Sequence, residues 1–404
     1  MAKRILVFTN HFSPEHFKIN EAVKWLIDEG NQVHVVTGWP NYPSGKIYKG
    51  YGFFNNNFER RGNLTIRRLP LIPRGEGTKL RLVINYLSYS LSVFVYTIYL
   101  IIGSSNFDKL VVHHTSPFFI AIFAVFYKRF KKTKVILWEL DLWPETLEAV
   151  GVIKSKYLLS IIKFFVETIY KHFDIVLIGS QRFKEKVLNR VPHNEVHYFP
   201  NWAEEILEKN KVKKIGITSL KANAIRIMYA GNIGHAQDFE ILANQIISNP
   251  KDLIQWIFIG EGRYKKQLRK MLYTQEKQEQ VIFVPQQPIE KIPSWFDIAD
   301  YLYLSLRNTP QFNDTVPAKL QGYMASGKPI IAMIGGEGKS LIKKADCGLV
   351  SKPSDSIGLD KILKQAINQN PEKRKSSGEK GRNFYFKNFH SALRKKQFLD
   401  IIDS

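Results

Sequence analysis

The chain has 404 residues, 44% of them hydrophobic, and is long enough to bury two hydrophobic cores of ordinary size. A single cysteine, Cys347, excludes a disulfide framework and a cysteine-rich zinc site, and is typical of a reducing compartment. The formal net charge of +23 is spread over both halves of the sequence, which argues against a nucleic-acid-binding module and for a basic surface that works near anionic lipid.

The N-terminal sequence MAKRILVFTN turns polar too soon for the apolar core of a secretory signal and is predicted to form a first strand. A helical pattern follows and ends at Gly30, and residues 32–37 form the next predicted strand. The loop at residues 38–52, GWPNYPSGKIYKGYG, is either a rigid surface turn or a binding lip, and its aromatic side chains favour the lip.

Residues 82–107 carry no charged side chain and are long enough to raise the question of a membrane span. Their tyrosine, phenylalanine and hydroxyl side chains favour an interfacial or partly buried helix. Residues 117–132 and 157–173 share this character and have flanking lysine and arginine, which an anionic membrane attracts. We therefore predict a cytoplasmic protein that rests peripherally on the inner face of the plasma membrane. The alternative is that all three segments are core helices.

Apolar runs at residues 110–112, 135–137, 175–178 and 196–199 alternate with helical patterns, which predicts a parallel, doubly wound sheet. Ligands of such sheets bind at the carboxyl ends of the strands. The polar residues at those ends outline a predicted pocket: His113, His114, Glu139, Asp141, Ser180 and Asn201.

Residues 203–222 become charged and lose the alternation of strand and helix, which predicts a linker. A second series of predicted strands follows at residues 225–230, 254–259, 281–284, 301–304 and 330–333. Two of its strand ends carry glycine loops of a type that binds phosphate, GNIG at 231–234 and GEG at 260–262. The tail from residue 381 is aromatic, basic and helical, and is predicted to return to the first domain.

A third phosphate-type loop is predicted within DTVPAKLQGYMASGKPI at residues 314–330. Its polar beginning leads into a short apolar helix through Asp314, Thr315, Val316, Pro317 and Lys319. Backbone amides at a helix N-terminus together with one ammonium group favour an anion such as a diphosphate. For this stretch taken alone, an ordinary helix-to-strand turn is the alternative.

In combination, these segments resemble the retaining sugar-nucleotide glycosyltransferases of family 4, the group 1 type. Within that family they resemble most closely the bacterial surface-polysaccharide transferases of fucosamine and other 6-deoxy-amino sugars. The motifs are FSPEHFKIN at 12–20, TGWPNYPSGK at 37–46, SPFF at 116–119, DLWPE at 141–145, FPNW at 199–202, YAGNIG at 229–234, FIGEG at 258–262 and VPAKLQGYMASGKPI at 316–330.

The resemblance implies an α/β protein with the GT-B fold, in which two facing Rossmann-like domains have parallel sheets and a C-terminal helix crosses back to the first domain. Residues 1–202 would form an acceptor-binding, membrane-facing domain. The linker at 203–222 would lead to a nucleotide-sugar-binding domain at 223–380, and residues 381–404 would form the returning helix.

The resemblance also implies which residues act. The donor-binding residues would be Gly231, Asn232, Gly234, His235, Gly260, Glu261, Arg263, Asp314, Thr315, Val316, Pro317 and Gln321. Lys319 and Arg307 would be the catalytic cations, because negative charge develops on the β-phosphate of the leaving nucleotide. In the first domain Asp141 and Glu139 would orient the acceptor hydroxyl, with further acceptor contacts from Glu15, Lys18, Asn41, Tyr42 and His114.

The chain departs from the family at its Glu-x(7)-Glu signature, which falls on Asp314 and Gly322. In the family the second glutamate commonly binds the nucleotide ribose, so that contact must come from elsewhere, and Glu261 and Gln321 are the candidates. His235 stands where a basic residue often follows the first glycine loop.

The expected reaction transfers a sugar from a nucleotide-sugar, taken to be a UDP-linked N-acetylamino sugar, with retention of configuration. The expected acceptor is a polyprenyl-pyrophosphate-linked or other lipid-linked saccharide of bacterial O-antigen or capsule synthesis. Neither a cofactor nor a metal is expected, since no Asp-x-Asp motif suits a magnesium diphosphate. A sugar-nucleotide 2-epimerase and a non-catalytic, membrane-associated nucleotide-binding scaffold are the alternatives.

Overall fold

The computed structural model describes residues 2–404 apart from 76, 150–152, 154, 192–194, 210–214, 217–219, 222 and 249–252. The chain forms two compact units, the first comprising Met1–Pro200 and Lys395–Ser404 and the second Asn201–Arg394. Each unit is built on one mainly parallel sheet, so the predicted α/β class with two Rossmann-like domains is confirmed.

The first unit has an eight-stranded sheet in the order β3-β4-β2-β1-β5-β6-β7-β8, parallel except for the β3-β4 pair. Its strands are β1 (Arg4–Thr9), β2 (Gln32–Gly38), β3 (Phe58–Arg61), β4 (Leu64–Leu69), β5 (Lys109–His114), β6 (Lys134–Glu139), β7 (Ile175–Ile178) and β8 (Glu195–Tyr198). Its helices before the second unit are α1 (Lys18–Asp28), α2 (Lys79–Ile102), α3 (Phe119–Lys131), α4 (Glu145–Ala149), α5 (Lys156–Tyr170) and α6 (Arg182–Arg190). Strand β5 is buried along its whole length, as a parallel strand covered on both faces must be.

The second unit has a six-stranded sheet in the order β11-β10-β9-β12-β13-β14, with every pair parallel. Its strands are β9 (Ile225–Ala230), β10 (Ile254–Ile259), β11 (Val281–Val284), β12 (Tyr301–Ser305), β13 (Ile330–Met333) and β14 (Gly348–Ser351). Its helices are α7 (Glu205–Lys209), α8 (Phe239–Ser248), α9 (Lys265–Thr274), α10 (Ile292–Ile298), α11 (Pro310–Asp314), α12 (Ala318–Ser326), α13 (Gly336–Ala345), α14 (Ser356–Asn368) and α15 (Pro371–Asn388), and α16 (Ser391–Asp403) follows.

Helix α7 lies inside the predicted linker at 203–222, where charged composition concealed an ordered element. Its Glu208 is buried and accepts hydrogen bonds from Tyr385 Oη at 2.6 Å and from Ser391 N and Oγ at 3.0 and 2.9 Å. The charged composition of this stretch therefore predicted a linker, although one of the charged residues, Glu208, anchors α7.

The predicted returning segment at 381–404 comprises two helices. Residues 381–388 complete α15 within the second unit, and the chain rejoins the first unit only from Lys395. There Phe398 of α16 is fully buried and packs on Phe199 and Trp138, with ring centroids 5.6 and 6.1 Å apart. Gln397 Nε2 donates to Tyr198 O at 2.9 Å, so α16 completes the core of the first unit.

Helix α2 accounts for most of the uncharged segment at 82–107. By length and composition alone its stretch from Leu80 to Ile102 could cross a membrane. One face, however, packs in the core of the first unit through Tyr89, Val93 and Leu100. The opposite face leaves large apolar side chains exposed: Leu80, Leu87, Leu91, Val95, Tyr99 and Ile102.

Candidate active site

Both sheets have a point where the strand order reverses. In the first unit β1 lies between β2 and β5, and in the second unit β9 lies between β10 and β12. Open α/β sheets bind ligands outside the carboxyl ends of the strands at such points. Most of the predicted site residues lie at these two edges.

In the second unit, Gly231 ends β9 at the reversal point and lies beneath Lys319 of α12. A Cβ at Gly231 would collide with Lys319 Cε, and a Cβ at Gly260 would collide with Gly231 O. Both glycines have φ of 138°, a conformation that side-chain-bearing residues rarely adopt. Glycine is therefore required here so that two strand ends and one lysine side chain can come together.

Lys319 is held at this edge without a carboxylate partner. Its Nζ lies 5.3 Å from the centroid of the Tyr229 ring, and burial lowers the Lys319 pKa to about 8. No carboxylate of the described residues lies within ion-pair distance of it. Tyr323, one turn further along α12, has its Oη 3.2 Å from Ala230 N, which fixes the helix to the end of β9. The site therefore contains an uncompensated cation in a fixed position.

Several backbone amides that were predicted to bind the diphosphate already donate within the protein. Gly231 N donates to Ile259 O at 2.9 Å, Gly234 N to Gln237 Oε1 at 3.0 Å, and Thr315 N to Gln311 O at 3.0 Å. The predicted polar loop at Asp314 is the end of α11, a short helix that Thr309 caps through its side chain. Asn232 lies inside the glycine loop, and its O accepts a bond from Tyr229 Oη at 2.6 Å.

The other predicted donor residues divide into those tied to the glycine loop and those exposed at its rim. Arg307 Nε lies 3.6 Å from Asp238 Oδ1, and Arg307 N donates to Ala236 O at 2.9 Å, which links the end of β12 to this loop. His235 packs edge-on against Tyr264. Glu261 and Arg263 are exposed, and Lys265 Nζ lies 2.7 Å from Glu261 Oε1.

Gly322, which stands at the position of the family's second glutamate, packs closely against an apolar side chain and leaves little room for a larger residue. A Cβ at Gly322 would lie 3.1 Å from Leu207 Cδ1 of α7. The candidate replacement Gln321 is buried, and with its amide nitrogen facing the start of α12 it donates to Pro317 O and Ala318 O at 3.2 Å each. Val316 is buried beside Pro317, the residue that precedes α12.

In the first unit, Glu15 is a buried anchor for the loop after β2. Its Oε1 accepts bonds from Asn41 N at 2.7 Å and Tyr42 N at 2.6 Å, and its Oε2 lies 2.8 Å from His11 Nδ1. Asn41 is buried and donates through Nδ2 to Trp39 O, whereas Tyr42 is 42% exposed. Glu15 thus fixes the backbone of the predicted lip. Of the predicted acceptor residues Glu15, Asn41 and Tyr42, Tyr42 has the largest exposed surface.

A second cluster lies at the ends of β5 and β6. Glu139 is fully buried, with Oε1 2.7 Å from His114 Nδ1 and 2.9 Å from Asp141 N, while its Oε2 accepts a bond from Tyr170 Oη. Both oxygens of the Glu139 carboxylate are engaged by hydrogen bonds within the protein, and two of these bonds orient His114 and Asp141. The pKa of Asp141 is raised above its usual value, mainly because the carboxyl group is buried. The nearby His114 and a hydrogen bond from Ser116 act in the opposite direction.

His113 lies beside this cluster and is held neutral. Burial, with His11 and His114 nearby, lowers its pKa to about 3. Thr9 Oγ1 donates to His11 O and lies 3.0 Å from His113 Nδ1, so Nδ1 carries the proton. Within the described part of the chain, buried polar atoms without a partner concentrate at this edge: Asn10 Oδ1, Thr37 Oγ1, Trp39 Nε1, Asn41 Oδ1, His113 Nε2, His114 Nε2 and Thr115 Oγ1. Groups of this kind mark where a polar ligand or water binds.

Lys18 is the predicted acceptor residue that joins neither cluster, since its Nζ pairs with Glu21 Oε1 at 2.8 Å within α1. The sequence-based prediction missed His11, Tyr170 and also Arg74, whose Nη2 lies 3.2 Å from His11 Nε2. His11 could have been found from its spacing to Glu15, because residues four apart often pair. Tyr170 lies in α5, far along the chain from Glu139, and no local pattern points to it.

Comparison with known proteins adds evidence of a different kind. Residues 211–384 match the family model described as glycosyl transferases group 1. Over 339 residues the chain is 23% identical to a protein of Escherichia coli (strain K12) that bears the name colanic acid biosynthesis glycosyl transferase WcaI. That match covers 80% of this chain and 81% of the relative.

Two solved structures match nearly all of the chain. Sucrose-phosphate synthase from Thermosynechococcus elongatus superposes with a TM-score of 0.74 at 14% identity, over 99% of this chain and 98% of that protein. Anabaena HepE, solved in complex with UDP and glucose, superposes with a TM-score of 0.67 at 13% identity, over 99% of each chain. At such low identity the likeness concerns the fold alone, and it confirms the predicted two-domain architecture.

Proposed function

We propose that this chain is a retaining, metal-independent glycosyltransferase, on the basis of its GT-B fold and of the match of residues 211–384 to the group 1 glycosyl transferase model. Its proposed donor is a UDP-linked N-acetylamino sugar of the 6-deoxy type. The proposed acceptor is a polyprenyl-pyrophosphate-linked or other lipid-linked saccharide of bacterial O-antigen or capsule synthesis. The relation to WcaI, whose name refers to colanic acid, supports a role in surface-polysaccharide synthesis.

The observation that carries this proposal is the uncompensated Lys319 ammonium group above Gly231 at the reversal point of the second sheet. A partly buried cation without a partner is costly, and an anion that binds there removes the cost. A nucleoside diphosphate suits the site because its β-phosphate gains negative charge as the sugar leaves. Arg307 lies on the same edge and contributes a second positive charge once it turns from Asp238.

In the proposed reaction the bond between the anomeric carbon and the β-phosphate oxygen breaks, and the acceptor oxygen bonds to the same face of the sugar. The acceptor proton passes to the departing phosphate oxygen, so no protein nucleophile is needed. Asp141 accepts the hydrogen bond of the acceptor hydroxyl. Glu139 acts through other groups, because its carboxylate is fully used by His114, Tyr170 and the Asp141 amide.

We also propose that the first unit rests on the cytoplasmic face of the membrane. Exposed apolar side chains of α2 lie on the same unit as exposed Phe130 of α3 and Phe164 and Phe165 of α5. The last turn of α3 contains the basic residues Lys128, Arg129 and Lys131. An anionic bilayer attracts such a surface by about 1 kcal/mol per basic residue.

The test is a panel of nucleotide-sugars scored for thermal stabilisation, followed by product analysis with and without a lipid-linked acceptor. We expect UDP to stabilise the wild-type protein and Lys319→Ala to lose that stabilisation, while Lys361→Ala, an exposed lysine of α14, retains it. If UDP stabilised Lys319→Ala as strongly as the wild-type protein, Lys319 would not bind the nucleotide. A product formed from the donor without acceptor, an epimerised nucleotide-sugar, would identify an epimerase. The absence of any nucleotide binding would identify a non-catalytic scaffold whose nucleotide site has decayed.

A further inference from the structure

Arg74 lies in the segment between β4 and α2, where backbone contacts on both sides fix its position. Ile72 N donates to Ser88 Oγ at 2.9 Å, and Asn85 Nδ2 donates to Ile72 O at 2.7 Å. Gly75 N donates to Gly45 O in the lip at 2.9 Å. The guanidinium group therefore extends from an ordered support.

Its immediate surroundings contain no counter-charge. Arg74 Nη2 lies 3.2 Å from His11 Nε2, and the guanidinium carbon lies 6.0 Å from the centre of the Tyr42 ring. Because Glu15 accepts from His11 Nδ1, the free lone pair of Nε2 faces Arg74, and the histidine is a neutral acceptor. No carboxylate of the described residues lies within ion-pair distance of Arg74, and its Nε is buried without a hydrogen-bond partner.

An arginine in this state is suited to bind an anion. Guanidinium is always charged and presents planar N–H donors that match carboxylate or phosphate oxygens. Burying it without a counter-ion is unfavourable, so a site that retains it gains when an anion binds. Neutral His11 uses one donor and leaves the charge uncompensated.

The proposed acceptor-hydroxyl site lies at the same edge of the first sheet. Arg74 lies against His11, which follows β1, and Asp141 follows β6, with only β5 between these two strands. Asn10, next to His11, donates through Nδ2 to Ser116 O at 2.5 Å in the segment that follows β5. A guanidinium and a carboxyl group at neighbouring strand ends of one sheet edge are placed to bind two parts of one small molecule. Asp141 suits a hydroxyl and Arg74 suits an anionic group.

We propose that Arg74 binds an anionic group, a phosphate or a carboxylate, carried by the same acceptor sugar whose hydroxyl Asp141 binds. This inference rests on the proposed glycosyltransferase function and makes it more specific, since it names a class of acceptor. A sugar phosphate and a uronic acid both satisfy it. A neutral sugar occupies the hydroxyl site but leaves Arg74 uncompensated.

The experiment measures binding by calorimetry, with UDP present at saturation, of three probes: N-acetylglucosamine, N-acetylglucosamine 1-phosphate and glucuronic acid. We expect the wild-type protein to bind at least one anionic probe about tenfold to a hundredfold more tightly than the neutral one, the range of a charge-assisted pair. Arg74→Met loses this preference, and Arg74→Lys keeps part of it. Arg60→Met, an exposed arginine of β3, keeps all of it.

The outcomes distinguish a phosphate from a carboxylate ligand, and they distinguish failure of this inference from failure of the proposed function. Preference for the sugar phosphate alone identifies a phosphate ligand, and preference for glucuronic acid identifies a ring carboxylate. Equal binding of all three probes by the wild type, or an unchanged preference in Arg74→Met, overturns the inference. An unchanged unfolding transition of the first unit shows that the Arg74 variants are folded, whereas loss of UDP binding in every protein, wild type included, contradicts the proposed function instead.

Discussion

Lys319 shows how one side chain links stability to ligand binding. Its pKa in the folded protein is about 8, below the ordinary value of 10.5, because burial disfavours the charged form. A lowered lysine pKa means that the charged group destabilises the fold below pH 8, and that this penalty disappears as pH rises from 8 to 10.5. The shift corresponds to an upper limit of roughly 3 kcal/mol.

We therefore expect Lys319→Met to raise the free energy of unfolding at pH 7 by about 1–3 kcal/mol, and to have little effect near pH 10.5. The same variant should lose stabilisation by UDP at pH 7. Chemical denaturation at both pH values, with and without UDP, measures each effect. A variant less stable than the wild type at pH 7 would show that the ammonium group has a favourable partner in the unliganded protein.

The carboxylates illustrate what residue type alone does not reveal. Glu15, Glu139 and Asp141 were all predicted to act on the acceptor, and all three lie near the expected strand ends. In the structure Glu15 and Glu139 are turned inward and fully used by histidines, tyrosine and backbone amides. Position along a strand is readable from periodicity, but the direction of a side chain depends on partners that are distant in sequence.

At the scale of elements, the apolar strands and the glycine loops were predictable because each is a local pattern. Gly327, for example, ends α12 in the left-handed conformation, with φ of 73°, which is where helices commonly carry a glycine. The hairpin of β3 and β4 was missed, because its sequence FERRGNLTIRRL is dominated by arginine. Its strand character comes from pairing with β2, which buries Ile66 and Leu69.

Helix α2 gives a prediction about its two faces. Leu91 is 65% exposed and faces away from the core, whereas Val93 is 1% exposed and packs within it. We expect Leu91→Asp to reduce flotation with anionic liposomes at least severalfold while leaving the melting temperature nearly unchanged. Val93→Asp, the matched control, should destabilise the first unit by several kcal/mol because it buries a charge.

Flotation at low and physiological salt, with thermal unfolding of each variant, provides the measurement. Undiminished flotation of Leu91→Asp would show that the outer face of α2 does not contribute to membrane binding. Strong destabilisation by Leu91→Asp would show instead that this face is covered within the protein.

At the scale of the whole molecule, α16 joins the sequence-distant ends of the first unit. Phe398 is fully buried against Trp138 and Phe199, and Lys3 Nζ lies 2.8 Å from Asp403 Oδ1. We expect Phe398→Ala to destabilise the first unit by about 3–5 kcal/mol, whereas Lys396→Ala, at an exposed position of the same helix, should cost less than about 1 kcal/mol. Denaturation followed through a probe in the first unit measures this. Equal effects of the two variants would contradict a core role for α16.

The return of α16 also bears on how the protein is made. Ribosomes deliver the first 200 residues well before Phe398, with about 190 residues of the second unit in between. At synthesis rates of about 5–20 residues per second, this interval is on the order of 10–40 s. Throughout that time Trp138 and Phe199 lack their contact with Phe398, so the nascent first unit exposes apolar surface until translation supplies the missing helix.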